Sequence, residues 1–156
     1  MAYILFNSDG LAENYAKEKN DFKLVRPDID FFDGKGLVKE VSREDYISVV
    51  SKLKEAKLQD GNITYEVVED PAPSFVKEDF DSLKTLYIES IDKTMQKHSA
   101  KLATDEFSSL NTRLNDFKTA LNNFDTATPS YPVTTSFLAY WFENESAEPF
   151  SRQYLL

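Results

Sequence analysis

The chain has 156 residues and no cysteine, and 27 acidic against 18 basic side chains leave a formal net charge of −9. Without cysteine, disulfides, thiolate metal sites and thiol catalysis are excluded. The acidity is even, 15 acidic and 10 basic residues in positions 1–70 and 12 and 8 in positions 71–156, so neither half has a basic stripe for phosphates or anionic lipid, and no nucleic-acid and no membrane partner is expected.

A hydrophobic share of 41%, with 13% aromatics, is enough for a real core in one domain or two small lobes. The opening MAYILFNSDG has only a short apolar run and no basic stretch before it, which does not read as a secretory signal, and no run approaches membrane-spanning length. Synthesis in a cytoplasm is the expectation.

In chain order, Tyr3–Phe6 reads as a strand ended by the turn cluster Asn7-Ser8-Asp9-Gly10. Leu11, Ala12, Tyr15 and Ala16 can share one face of a short helix through Lys19, after which Phe22–Arg26 returns as a second strand stopped by Pro27. Ser42 is placed to cap a helix with Glu44 and Asp45 in its first turn, where the helix dipole favours negative charge. Tyr46, Val49, Val50 and Leu53 supply its apolar face. Asp60-Gly61 tolerates positive φ at both central positions of a two-residue hairpin turn, between Lys57–Gln59 and the alternating Ile63, Tyr65 and Val67. Residues 1–70 therefore read as a small α+β lobe with three or four strands.

Two prolines in Asp70-Pro71-Ala72-Pro73-Ser74 block helix and sheet alike, which marks residues 71–74 as a linker. Ser74 can cap the next helix, in which Val76, Phe80, Leu83, Tyr87, Ile91 and Met95 step by three and four residues to an end near His98–Lys101. Thr104 then caps TDEFSSLNTRLNDFKTALNNFD, where Phe107, Leu110, Leu114, Phe117, Leu121 and Phe124 form a heptad seam. A short connection between long helices makes them antiparallel neighbours, so residues 75–125 read as a helical hairpin. Residues 126–156 form an aromatic-rich tail with one short helix around Ser136–Glu143 and irregular chain beyond it. The fold class is α+β.

Catalytic chemistry has little to rest on. DIDFFDGKGLVKE, Asp28–Glu40, nearly matches a calcium loop, but Phe32 occupies the place of the third acid and Asp33 comes one position late. An acidic surface turn is the preferred reading and a hard-cation site the alternative. His98 is the single histidine, and no Gly-x-Ser-x-Gly or His-Glu-x-x-His pattern surrounds it. The carboxylate pairs Asp79/Asp81 and Glu143/Glu145 sit in charged, solvated sequence that would not shift their pKa. Gly10, Gly34, Gly36 and Gly61 are too scattered for a phosphate-cradling loop. No catalytic residue, metal or cofactor is expected.

The interaction candidates are apolar. Burying the six seam side chains is worth about 9–18 kcal/mol before entropy is subtracted, so the seam does not stay open. It closes either on the preceding helix or, for whatever apolar surface remains, on a protein partner or a second copy. Phe107, Leu110, Leu114, Phe117 and Leu121 are the candidate partner-binding residues there, and Tyr140, Trp141 and Phe142 are those of the tail, because aromatic anchors dominate binding where a pocket accepts them. Three adjacent aromatics cannot share one helix face, so at least one points away from whatever Trp141 packs on.

The segments AYILFNSDGLAENYAKEKNDFKLVRPDI, VSREDYISVVSKLKEA and LQDGNITY resemble small proteins encoded by tailed bacteriophages, especially marine ones. The helical hairpin and the tryptophan-bearing tail ending in FSRQYLL are similar in layout to the C-terminal part of phage tail-fibre assembly chaperones. The usual leucine-rich run into an aspartate-tryptophan pair is absent, Trp141 being preceded by Tyr140. The resemblance implies a non-enzymatic structural or assembly protein, tail-associated, that contacts other virion or tail subunits or itself. It would be made in the host cytoplasm and incorporated in the virion. The alternative it implies is a soluble adaptor or tail-fibre assembly chaperone that binds a host or phage protein.

Overall fold

The computed structural model describes residues 1–69 and 72–156 and has an α+β architecture. Asp70 and Pro71, on which part of the expected linker falls, lie outside the described residues. The chain divides into two compact units, Met1–Glu69 and Asp70–Leu156.

In the first unit β1 (Ala2–Phe6) is the middle strand of an antiparallel sheet, between β2 (Ala12–Ala16) and β3 (Val38–Val41). Ile4, Leu5 and Phe6 are fully buried, which is why this strand reads as an unbroken apolar run rather than an alternation. In the turn to β2, Asn7 Oδ1 accepts the N–H groups of Asp9 at 2.9 Å and Leu11 at 3.0 Å.

Two expected elements exchange their type. The segment expected as a helix around Leu11–Lys19 is strand β2, with Ile4 opposite Tyr15 and Tyr3 opposite Ala16. A strand apolar on both faces needs a hydrogen-bonded neighbour on each edge, and that tertiary demand overrides the weak helix preference of Ala12 and Ala16. The expected second strand, Phe22–Arg26, is instead a 3-10 turn (Lys19–Asp21) running into helix α1 (Phe22–Val25). The Glu18 N–H donates to Asp21 Oδ2 at 3.1 Å, which holds the helix start and lets Phe22 and Leu24 turn inward.

Asp28–Glu40, where an acidic surface turn was expected with a calcium-type loop as the alternative, holds helix α2 (Ile29–Gly34), and Val38 opens β3. Its acids are dispersed, with Asp33 paired to Lys19 and Asp28 3.4 Å from Arg26, and no metal-sized carboxylate or histidine cluster occurs among the described residues. The segment places Ile29 and Val38 in one buried cluster with Leu5, Ala16 and Phe22.

Helix α3 (Arg43–Val50) is capped as its sequence suggests, with the Asp45 N–H donating to Ser42 Oγ at 3.1 Å. It packs on β1 and on β4 (Lys54–Gln59) and buries Tyr46, Val49 and Val50. Leu53, expected on its apolar face, lies beyond the helix end and is 50% exposed, because Lys52 has already turned the chain at φ 64°. β4 pairs with β5 (Asn62–Val67) through Asp60 and Gly61, whose φ values of 53° and 79° match the two-residue turn. The hairpin is held to the first turn by the Leu58 N–H, which donates to the Gly10 carbonyl at 2.8 Å.

In the second unit α4 (Lys77–Lys97) and α6 (Ser108–Asn123) pack together, joined through α5 (Ser99–Leu102) and a 3-10 turn (Asp105–Phe107). Phe80 meets Phe124 near one end and Tyr87 meets Phe117 further along, so the two helices run antiparallel. The caps differ from expectation. Helix α4 starts beyond Ser74, at Val76, whose N–H donates to Asp79 Oδ2 at 2.8 Å. Thr104 does not cap α6 with its side chain; its hydroxyl donates back to the Lys101 carbonyl at 2.6 Å. In the tail, α7 (Phe137–Asn144) begins at Ser136, whose Oγ accepts the Ala139 N–H at 3.1 Å. A further short helix, α8 (Arg152–Leu155), occupies chain expected to be irregular, with Ser151 Oγ accepting the Tyr154 N–H at 3.1 Å. Among the described residues no helix is long and apolar enough to cross a membrane.

Candidate interaction surface

The three-four spacing of the seam puts Phe107, Leu110, Leu114, Phe117, Leu121 and Phe124 on one side of α6 and of the chain flanking it, and all six are buried. The cover comes from α4 and from the tail. Tyr87 stands edge-on to Phe117 with ring centroids 5.9 Å apart. Trp141 lies 5.3 Å from Phe117 and 5.7 Å from Phe124, edge-on to both, and Phe150 approaches Phe117 at 6.1 Å. Edge-to-face geometry sets the positive rim of one ring against the negative face of the next, so these contacts add to the area they bury.

Trp141 is fully buried and its polar atom is satisfied, the indole N–H donating to the Ala147 carbonyl at 2.8 Å. Further along, the buried Thr94 hydroxyl lies 2.9 Å from the Leu155 carbonyl, which fastens α8 to α4. The tail is thus the third wall of the hairpin core. In this conformation Phe107, Leu110, Leu114, Phe117, Leu121 and Trp141 face the interior of the unit, whereas Tyr140 and Phe142, their neighbours in the expected set, are half-buried and reach its surface.

Two surface rings escaped the sequence reading. Phe80 is fully buried, and its ring is approached by Phe75 at 5.9 Å, Tyr131 at 5.6 Å and Tyr140 at 5.6 Å, all three half-buried. Phe75 and Tyr131 lie 56 positions apart, and each sits beside prolines, which read only as breakers. Their placement depends on a long-range bridge: Phe75 and Val133 exchange two backbone hydrogen bonds, each 2.9 Å. The Tyr131 hydroxyl donates to the Thr126 carbonyl at 2.6 Å, and Lys84 Nζ donates to the Phe124 carbonyl at 2.8 Å.

The electrostatics around this rim are acidic. Thr126 donates its hydroxyl to Asp81, which also pairs with Lys77 at 3.0 Å; the Thr126 hydrogen bond first, and the Lys77 ammonium second, hold the Asp81 carboxyl below its usual range. Burial pushes the Tyr131 phenol up, with Asp81, Glu78 and Asp125 adding to the effect. Tyr140 is raised by burial and by Glu145. At the opposite end of α4, burial lowers the His98 imidazole, and Lys97 and Lys101 lower it further, which favours the neutral ring at a helix end. None of this assembles a nucleophile with a base; what it presents is a set of fixed, half-exposed rings with carboxylates around them. Comparison with protein-family models, with curated proteins and with solved structures finds no match to this chain.

Proposed function

We propose that the chain is a non-enzymatic bacteriophage structural or assembly protein, tail-associated, that works through protein–protein contacts with other virion or tail subunits or with further copies of itself. It is made in the host cytoplasm. The phage assignment rests on the resemblance of the segments at 2–29, 41–56 and 58–65 and of the hairpin-and-tail layout. The observation that supports a contact role is the self-sufficient core of the second unit, in which Trp141 and the seam are satisfied within the chain while Tyr140, Phe142, Phe75 and Tyr131 remain at its surface. A partner of such a unit meets a preformed surface and incurs little ordering cost.

The closed seam favours a second reading in particular, a soluble adaptor or tail-fibre assembly chaperone, because a chain that covers its own heptad stripe has no need of a subunit to do so. Light scattering on a sizing column, across about a hundredfold concentration range, together with mass spectrometry of purified particles of the encoding phage, separates the two. A stable oligomer found in the particle supports the structural role. A single mass near 17.9 kDa, with the chain absent from particles but bound to a fibre or host protein in infected cells, supports the adaptor. A monomer with neither association overturns both.

A further inference from the structure

The rim around Phe80 combines three properties. Its rings are held in place: the Phe75–Val133 backbone pair and the Tyr131 hydrogen bond to Thr126 fix two of them before any ligand arrives. Its apolar area extends past the rings to Val76, which is 48% exposed at the start of α4. Its surroundings are negative, and the nearby cations are already committed, Lys77 to Asp81 and Lys84 to the Phe124 carbonyl. Glu78 and Asp125 are exposed, and Glu145 is half-exposed beside Tyr140.

We infer that this rim docks a short basic segment of a protein partner, an apolar or aromatic side chain seating over Phe75, Tyr131 and Tyr140 while flanking lysine or arginine side chains meet Glu78, Asp125 and Glu145. This names the partner chemistry of the contact role proposed above and rests on that reading. A guanidinium or ammonium over a tyrosine face is attracted by the ring quadrupole, and a carboxylate beside the ring adds to the same attraction. Complementary charge around an apolar centre sets specificity and association rate more than raw affinity. Nucleic acid and anionic lipid are repelled by the same carboxylates. A second copy of the chain, at a net charge of −9, brings mostly like charge to the site.

The test titrates the full, isotopically labelled chain with two capped tripeptides, Ac-Arg-Phe-Lys-NH2 and Ac-Glu-Phe-Asp-NH2, and follows the Tyr131 and Tyr140 ring resonances by NMR. The basic peptide is expected to shift both rings saturably with a Kd of about 1 mM, and the acidic peptide to shift neither. The double variant Glu78→Gln/Asp125→Asn should weaken the basic peptide at least about fivefold. It keeps the fold, since Glu78 is exposed and asparagine at 125 can still accept the Ala127 N–H that Asp125 accepts at 2.9 Å. Ring shifts that are absent with the basic peptide, equal for the two peptides, or unchanged in the double variant overturn the inference. If the chain nevertheless enters particles or binds a fibre or host protein, the proposed function stands and only this surface is wrong; if it does neither, the proposed function falls as well.

Discussion

The Trp141 indole stands edge-on to the Phe117 ring, centroids 5.3 Å apart and planes at 80°. The two residues belong to the tail and the seam, and their contact makes the tail part of the hairpin core. Trp141→Ala should therefore cost about 3–5 kcal/mol, whereas Phe142→Ala, at a half-buried position, should cost under about 2 kcal/mol. Chemical denaturation followed by circular dichroism compares them. Similar costs for the two variants would place Trp141 outside the core.

The seam yields a sharper contrast. Leu114 is fully buried at its centre, and a carboxylate placed there would lose its hydration among apolar side chains. Leu114→Asp should destabilise the second unit by about 3–5 kcal/mol and show unfolding of residues 72–156 by amide NMR. A variant that stays folded and changes only its solution mass would instead identify the seam as a subunit interface.

In the first unit Gly10 adopts φ +80°, and a Cβ there would lie 2.2 Å from the Leu58 carbonyl oxygen. The left-handed backbone alone costs an L-residue about 1–2 kcal/mol, and the clash must also push the β4–β5 hairpin away. Gly10→Ala should lose at least about 2 kcal/mol and raise amide exchange across Leu58. Gly34, in α2 with open space around its Cβ position, supplies the control: Gly34→Ala should be neutral or gain up to about 1 kcal/mol. Equal effects would mean that the hairpin does not rest on the first turn.

Asp81 links the first turns of α4 to the chain after α6. Its folded pKa is lowered by the Thr126 hydroxyl and then by Lys77, so its contribution to stability is present above the ordinary carboxyl value of 3.8 and is lost as pH falls through the folded value. Thr126→Val should move the Asp81 titration up toward that ordinary value, and Lys77→Met should move it less. Carboxyl carbon NMR reads both. An Asp81 pKa indifferent to Thr126→Val would show that the hydroxyl does not bind it in solution.

Local signals were legible in the sequence where a few neighbouring residues suffice. Ser42 caps a helix because its side-chain oxygen reaches an N–H three residues on, and Asp60-Gly61 turns because both residues accept positive φ. The three-four spacing made the seam visible without any knowledge of its cover. Ala12–Ala16 and Phe22–Val25 were misread for the converse reason. Each is short, so neither has enough period to outweigh the demand of β1 for an edge partner or the hydrogen bond that Asp21 accepts from Glu18.

The sequence by itself determined the α+β class, the hairpin and the apolar stripe that had to be covered, since composition and periodicity state how much surface must leave water. Only the tertiary structure decided what covers it. Trp141 turns onto Phe117 while Tyr140 turns toward Phe80, and Phe75 meets Val133 across 58 positions. Such contacts depend on where a folded chain returns in space, which no local pattern records, and they set which aromatic rings become core and which stay half-buried at the surface.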